Sequence, residues 1–140
     1  MRDLASNIVA ALAIAPIALA GDEGATGITI DTMGYDSCTF FVQTGTLADA
    51  AFTSTITVQS DNDSAMGSPT TVADDDLVIT TNAFPIIQTD DAKVLKIGYV
   101  GNERYVRLVF ASTGNASSLP ISAICILGHP HILPQTTHKV

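Results

Sequence analysis

Apolar and polar side chains alternate with a period of two through most of this chain, and that alternation constrains its fold more than any other feature. Thr55 to Gln59 sets Ile56 and Val58 against Thr55, Thr57 and Gln59. Arg104 to Ala111 sets Val106, Leu108 and Phe110 against Tyr105, Arg107 and Val109. Side chains two apart share one face of a strand, so each segment reads as a strand with one face in a core. Ser37 to Gln43 places Cys38, Phe40 and Val42 together, and Val94 to Val100 does the same with Leu95, Ile97 and Tyr99. Shorter strands are expected around Ile28 and Ile30, over Leu77 to Thr81, and over Ala83 to Ile87, where Pro85 suits an edge. Ile121 to Leu127 is apolar on both faces apart from Ser122, which predicts a central strand. Gly21-Asp22-Glu23-Gly24, Gly34 with Asp36, Ser60 to Pro69 and Gly114-Asn115 mark turns, and Gly101-Asn102-Glu103 reads as a hairpin connection. Strands spaced about ten residues apart predict an all-β, antiparallel β-sandwich, jelly-roll-like, of about eight strands.

Composition agrees. The 140 residues suit one domain with a core of its own. Acids are 12 Asp and 2 Glu, and Lys totals 3. Asp favours turns and caps, whereas Glu and Lys furnish exposed helix surface, so a mainly helical fold is disfavoured. The formal net charge is -8 and the chain has no basic stripe. That excludes a general nucleic-acid binder, which must replace counterions along a phosphate backbone. Apolar residues at 46% exclude intrinsic disorder.

The ends read differently from the middle. Met1 to Ala20 has the outline of a secretory leader, with Ala18-Leu19-Ala20 as a small-x-small site. Asp3 beside Arg2, and an Ala-heavy run broken by Pro16, weigh against that, and the segment is expected to be kept. Ile8 to Ala20 is too short for a helix across a bilayer. Ser6 is expected to cap a turn or two of helix that Pro16 ends, with Ile17 and Leu19 starting a first strand. The tail after His129 has two prolines and no period. The expected organisation is an N-terminal arm over residues 1–20, a sandwich body over 21–129 and a C-terminal arm over 130–140. Ile8, Val9, Leu12 and Ile14, with Ile132 and Leu133, form apolar surface that the body has no clear need to cover. They are the candidate partner-binding residues.

Chemistry-bearing residues are sparse. Cys38 and Cys125 sit among apolar strand residues and are expected to be buried free thiols, although spacing alone does not exclude pairing. His129-Pro130-His131, with His138 nearby, has the outline of metal ligands but lacks companions for a closed site. Asp61-Asn62-Asp63, Asp74-Asp75-Asp76 and Asp90-Asp91 lack the Gly and terminal Glu of a calcium loop and read as solvated turn acids. There is no Gly-x-Ser-x-Gly elbow, phosphate loop or His-Glu-x-x-His helix. No catalytic, cofactor-binding or metal site is expected, and the chain is not expected to be an enzyme.

Several short stretches resemble one family. Met1-Arg2-Asp3-Leu4-Ala5-Ser6-Asn7-Ile8, with Ile14-Ala15-Pro16, is similar to the start of small virion proteins encoded in the structural-gene clusters of tailed bacteriophages and phage-like gene transfer particles. Lys96 to Arg107 resembles their central hairpin. Gly34-Tyr35-Asp36-Ser37 and Gln59-Ser60-Asp61-Asn62 resemble an early turn and a mid-loop, and Gly128-His129-Pro130-His131 with Pro134 the closing motif. The resemblance implies a capsid decoration or cement protein, or a related head component. Its partners would be the major capsid protein and further copies of itself at capsomer junctions, with no direct nucleic-acid or membrane contact. It also implies assembly in the host cytoplasm and a place on the capsid exterior. Two other readings stand beside it: a neck or tail ring component, and a secreted carbohydrate-binding sandwich. The last is weakened by the absence of Trp and a Tyr plus Phe total of only 8, since sugar binders expose aromatic platforms.

Overall fold

The computed structural model describes residues 3–114 and 117–135, so His138 lies outside the described residues. The chain forms two antiparallel sheets packed face to face. Its strands are β1 (Ile8–Leu19), β2 (Gly24–Thr26), β3 (Ile30–Asp31), β4 (Tyr35–Thr44), β5 (Thr53–Asp61), β6 (Thr70–Thr71), β7 (Leu77–Val78), β8 (Phe84–Ile87), β9 (Val94–Tyr99), β10 (Tyr105–Thr113) and β11 (Leu119–Pro130). One sheet runs β1-β11-β4-β9-β7; the other runs β2-β10-β5-β6, with β3 also on β10 and β8 also on β5. The expected all-β sandwich is therefore present. Its strands exceed the expected eight because β2 and β6, which the sequence did not mark, span only three and two residues, too short for alternation to show. Among the described residues no helix is long and apolar enough to cross a membrane.

The alternating segments fill the core as their period dictates. Cys38, Phe40 and Val42 of β4 and Ala123, Cys125 and Leu127 of β11 face Ile56 and Val58 of β5 and Val106, Leu108 and Phe110 of β10, all buried. β11 is central, as its apolar character predicts: β1 pairs along one side of it and β4 along the other.

The N-terminal segment is not an arm. After a single 3-10 turn over Ala5–Asn7, residues 8–19 form β1, with Ile8 opposite Gly128 and Leu19 opposite Leu119. Val9, Ala13, Ile14 and Leu19 are buried in the core. The expected helix yields because strand pairing satisfies the backbone and buries these side chains, which outweighs the helix propensity of Ala. Pro16 falls in the register shift between Ile14 and Ile17, where a missing N–H interrupts no ladder bond. The tail is also partly tied down. The His131 N–H donates to the Gly34 carbonyl at 2.9 Å, and the Gln135 N–H to the Ser6 carbonyl at 2.9 Å.

Gly101-Asn102-Glu103 is not a hairpin either. β9 belongs to one sheet and β10 to the other, so this connection is an arch between sheets. Tyr99 closes it. Its hydroxyl donates to the Glu103 carbonyl at 3.1 Å and accepts from the Glu103 N–H at 3.0 Å. Burial pushes the phenol above its usual range and keeps it a donor. A second crossing, at Gly27, ties the sheets along another side. The Gly27 N–H donates to Leu108 of β10, and the Ile28 N–H to Ala13 of β1, each at 2.7 Å. A Cβ on Gly27 would lie 2.7 Å from the Ala13 carbonyl and 2.8 Å from that of Leu108, so only glycine fits between the two backbones.

Two outcomes follow. Deleting residues 1–20 removes the buried Ala13 and three larger buried side chains, Val9, Ile14 and Leu19, each of the three contributing about 1.5–3 kcal/mol, from a fold whose total is about 5–15 kcal/mol. The truncated chain should lose its cooperative thermal transition. Tyr99→Phe leaves the Glu103 N–H and carbonyl without their shared partner and should cost about 1–3 kcal/mol in urea unfolding.

Candidate interaction surface

The two sheets turn opposite kinds of surface outward. On the outer face of the β2-β10-β5-β6 sheet, β5 presents Thr53, Thr55, Thr57 and Gln59. Arg107 of β10 donates from both Nε and a terminal nitrogen to the Gln59 side-chain oxygen, at 3.0 and 2.8 Å. Thr53 and Thr113 hydroxyls meet at 3.0 Å. Arg104 grips Asp31 with two bonds, at 2.8 and 2.6 Å. This is the polar outer face that a solvated antiparallel sheet normally shows.

The outer face of the β1-β11-β4-β9-β7 sheet is apolar. Register aligns Leu12, Ile124, Phe41 and Lys96 in one row across four strands. A second row runs Ala10, Ile126, Thr39, Gly98 and Val78 across five. Val94 stands nearby, opposite Gln43, 63% exposed. Ile124, Ile126 and Phe41 are only half-buried, because no layer covers them. Lys96 forms no ion pair with another described residue, whereas Lys93 pairs with Asp90 and Arg104 with Asp31.

At the Gly128 end this face deepens into a groove of about 660 Å³. Leu4 and Ile8 from the N-terminal segment, Phe41 and Ile126 from the sheet, and Pro130 and Leu133 from the tail line it. Its polar rim is held by cross-links. His129 Nδ1 lies 3.1 Å from the Ser37 hydroxyl, and His131 Nε2 lies 2.7 Å from an Asp36 carboxylate oxygen.

The candidate contact residues therefore divide. Val9 and Ile14 are core residues, at 7% and 4% exposure, and are removed from the candidate surface. Ile8 and Leu133, far apart in sequence, line one groove. Leu12 belongs to the outer apolar row, and Ile132 is exposed beyond the groove. Alternation alone does not single out Phe41, Val94, Lys96, Ile124 or Ile126 as surface. The signal lies in the doubled Phe40-Phe41 and in the two-faced apolar run of β11, a pattern that a strand covered on both faces shares.

The remaining candidates are accounted for locally. Asp61 accepts from the Asp63 and Ser68 N–H groups at 3.0 Å each, and Asp74 from the Asn82 N–H at 2.6 Å. Asp91 accepts from the Leu47 N–H at 2.7 Å. These acids shape loops, as expected of turn residues. The backbone donors hold the Asp61 carboxyl below the usual range. Among the described residues no group of three His, Cys, Asp or Glu stands close enough to hold a metal ion. Cys38 and Cys125 are free and buried, with their sulfurs 3.4 Å apart.

No family model matches the chain, and no curated protein matches it. Among solved structures, it is similar to the PBSX exported protein XepA. The TM-score is 0.57 and the identity 14%, over 94% of this chain and 41% of that one. The chain thus spans about two fifths of that protein's length, and the likeness is one of fold.

The Arg104 guanidinium bonded to Asp31 holds that carboxyl below its usual value. A carboxyl depressed in the folded state adds stability that is complete above its unfolded pKa, near 4, and lost as pH falls through the folded value. Asp31→Asn should flatten the fall in stability below about pH 4. Because the pair is largely solvated, it should cost less than about 1 kcal/mol at pH 7, as read by urea unfolding across pH.

Proposed function

We propose that this chain is a non-enzymatic structural protein of a phage-type particle, and specifically a capsid decoration or cement protein that docks through the outer face of its β1-β11-β4-β9-β7 sheet. One observation carries the reading: the outer face of the β1-β11-β4-β9-β7 sheet holds contiguous apolar side chains, whereas that of the other sheet is mostly polar, with Val109 and Ile87 as its apolar exceptions. A freely soluble sandwich of net charge -8 has no need of an uncovered row of Leu12, Ile124 and Phe41, and such a patch marks a contact. The occupant is a subunit of the capsid shell that offers an apolar patch with a basic rim. The rim complements the acidic surface of this chain, and the apolar centre supplies the buried area.

Three further points support the reading. The sequence resembles virion structural proteins at its start, centre and end. The fold is similar to that of a protein of the phage PBSX. Gln135 bonds to Ser6 beside the groove, so described residues of the N-terminal turn and of the tail meet at one side of the apolar face. In this reading the chain assembles in the host cytoplasm and ends on the capsid exterior.

The test is reconstitution on purified shells that lack the protein. Leu12→Asp and Val94→Asp, both at exposed positions, should bind at least roughly tenfold more weakly than the natural chain at unchanged thermal stability. Thr55→Asp on the polar face should bind normally. Equal binding by all three variants overturns the docking face. Copies confined to one vertex place the protein in a neck or tail ring instead of on the shell.

A further inference from the structure

We propose that Cys38 and Cys125 are an oxidisable pair that hydrogen peroxide converts to an intramolecular disulfide, with Cys38 as the attacking sulfur and Cys125 as the resolving one. The inference does not rest on the docking surface; it concerns the core beneath it. β4 and β11 are neighbours, with Cys38 opposite Leu127 and Phe40 opposite Cys125, so the two thiols are diagonal neighbours on the core side. Their sulfurs are 3.4 Å apart, and both are free.

Access separates their roles. Cys38 lines a cleft of about 170 Å³ together with Thr32, Tyr35, Tyr99 and Gly101. Cys125 is fully enclosed. The cleft is large enough to admit an oxidant of peroxide size. The hydrogen bond with Cys125, and then burial, hold the Cys38 thiol well above its usual pKa, so Cys38 rests as the thiol and reacts slowly.

The chemistry closes within these groups and the peroxide. The Cys38 thiolate attacks one peroxide oxygen and breaks the O–O bond. This gives a sulfenic acid and hydroxide, which takes up the proton released by the thiol to become water. Cys125 sulfur then attacks the sulfenic sulfur, forms the S–S bond and expels a second hydroxide, which the Cys125 proton converts to water. Two thiols and one peroxide give one disulfide and two waters, with two electrons passing from sulfur to oxygen. The product links residues 87 positions apart and so restricts the unfolded chain strongly.

The experiment treats the full native chain with hydrogen peroxide, using oxidation of the exposed Met33 as the internal measure of dose. The intact mass should fall by about 2 Da before any rise from methionine oxidation is complete. Non-reducing digestion should give one peptide joining Cys38 to Cys125. The thermal midpoint should rise by several degrees and return on reduction. In Cys125→Ser, dimedone should trap a sulfenic acid at Cys38; in Cys38→Ser, Cys125 should stay untrapped. Complete Met33 oxidation with no 2 Da loss overturns the proposal, as does a disulfide found only between chains. Trapping at Cys125 in Cys38→Ser overturns the order of attack. Should either variant fail to fold, the mass and the linked peptide of the natural chain still decide whether the pair closes.

Discussion

The double pairing of β11 is the interaction on which the rest of the structure depends. This strand accepts β1 along one edge and β4 along the other for nearly its whole length. Its inner residues, Ile121, Ala123, Cys125 and Leu127, go to the core; its outer residues Ile124 and Ile126 form the centre of the apolar face. A one-residue slip in either pairing would turn the slipped strand's core side chains to the outer face. The same register sets the diagonal contact between Cys125 and Cys38 and the row that joins Leu12 to Lys96. Core, surface and thiol pair are thus consequences of one alignment.

Two crossings keep the sheets stacked over that alignment. At Gly27 the chain bonds to β10 of one sheet and, one residue on, to β1 of the other. At Tyr99 a single hydroxyl closes the arch that carries the chain from β9 to β10. Asn82 does similar work at a sheet edge. Its side-chain amide exchanges two 3.0 Å bonds with the backbone of Val58, in the manner of one residue of an added strand. None of these groups adds much buried apolar area. They choose which strand lies over which, while the alternating residues supply the hydrophobic stabilisation.

Charge is distributed unevenly over this sandwich. Acids gather in the loops, where backbone N–H groups hold several of them, and on the rims of the sheets. The apolar rows carry no acid. With a net charge of -8, copies of the chain repel one another in solution, which keeps a large uncovered apolar face from driving nonspecific association. The basic Lys96 at the end of the row Leu12-Ile124-Phe41 gives that face an orientation that an all-apolar patch would lack.

The alternation in β4, β5, β9, β10 and β11 by itself determined the fold class and most of the core, because a period of two is a local property that survives any tertiary arrangement. The scarcity of Glu and Lys supported the same conclusion, and the Asp-rich turns were legible for the same local reason. The sequence did not decide the place of residues 8–19. An apolar, Ala-rich stretch is compatible with helix, arm or strand, and only the free edge of β11 made it β1. Nor did it distinguish a hairpin from an arch at Gly101-Asn102-Glu103, since the same turn residues serve both until the sheet of each flanking strand is known. It also left Ile124, Ile126 and Phe41 indistinguishable from buried residues. An apolar side chain has the same chemistry whether a layer covers it or not, and whether a further layer packs on that side of the sheet is settled by tertiary packing and not by any local pattern.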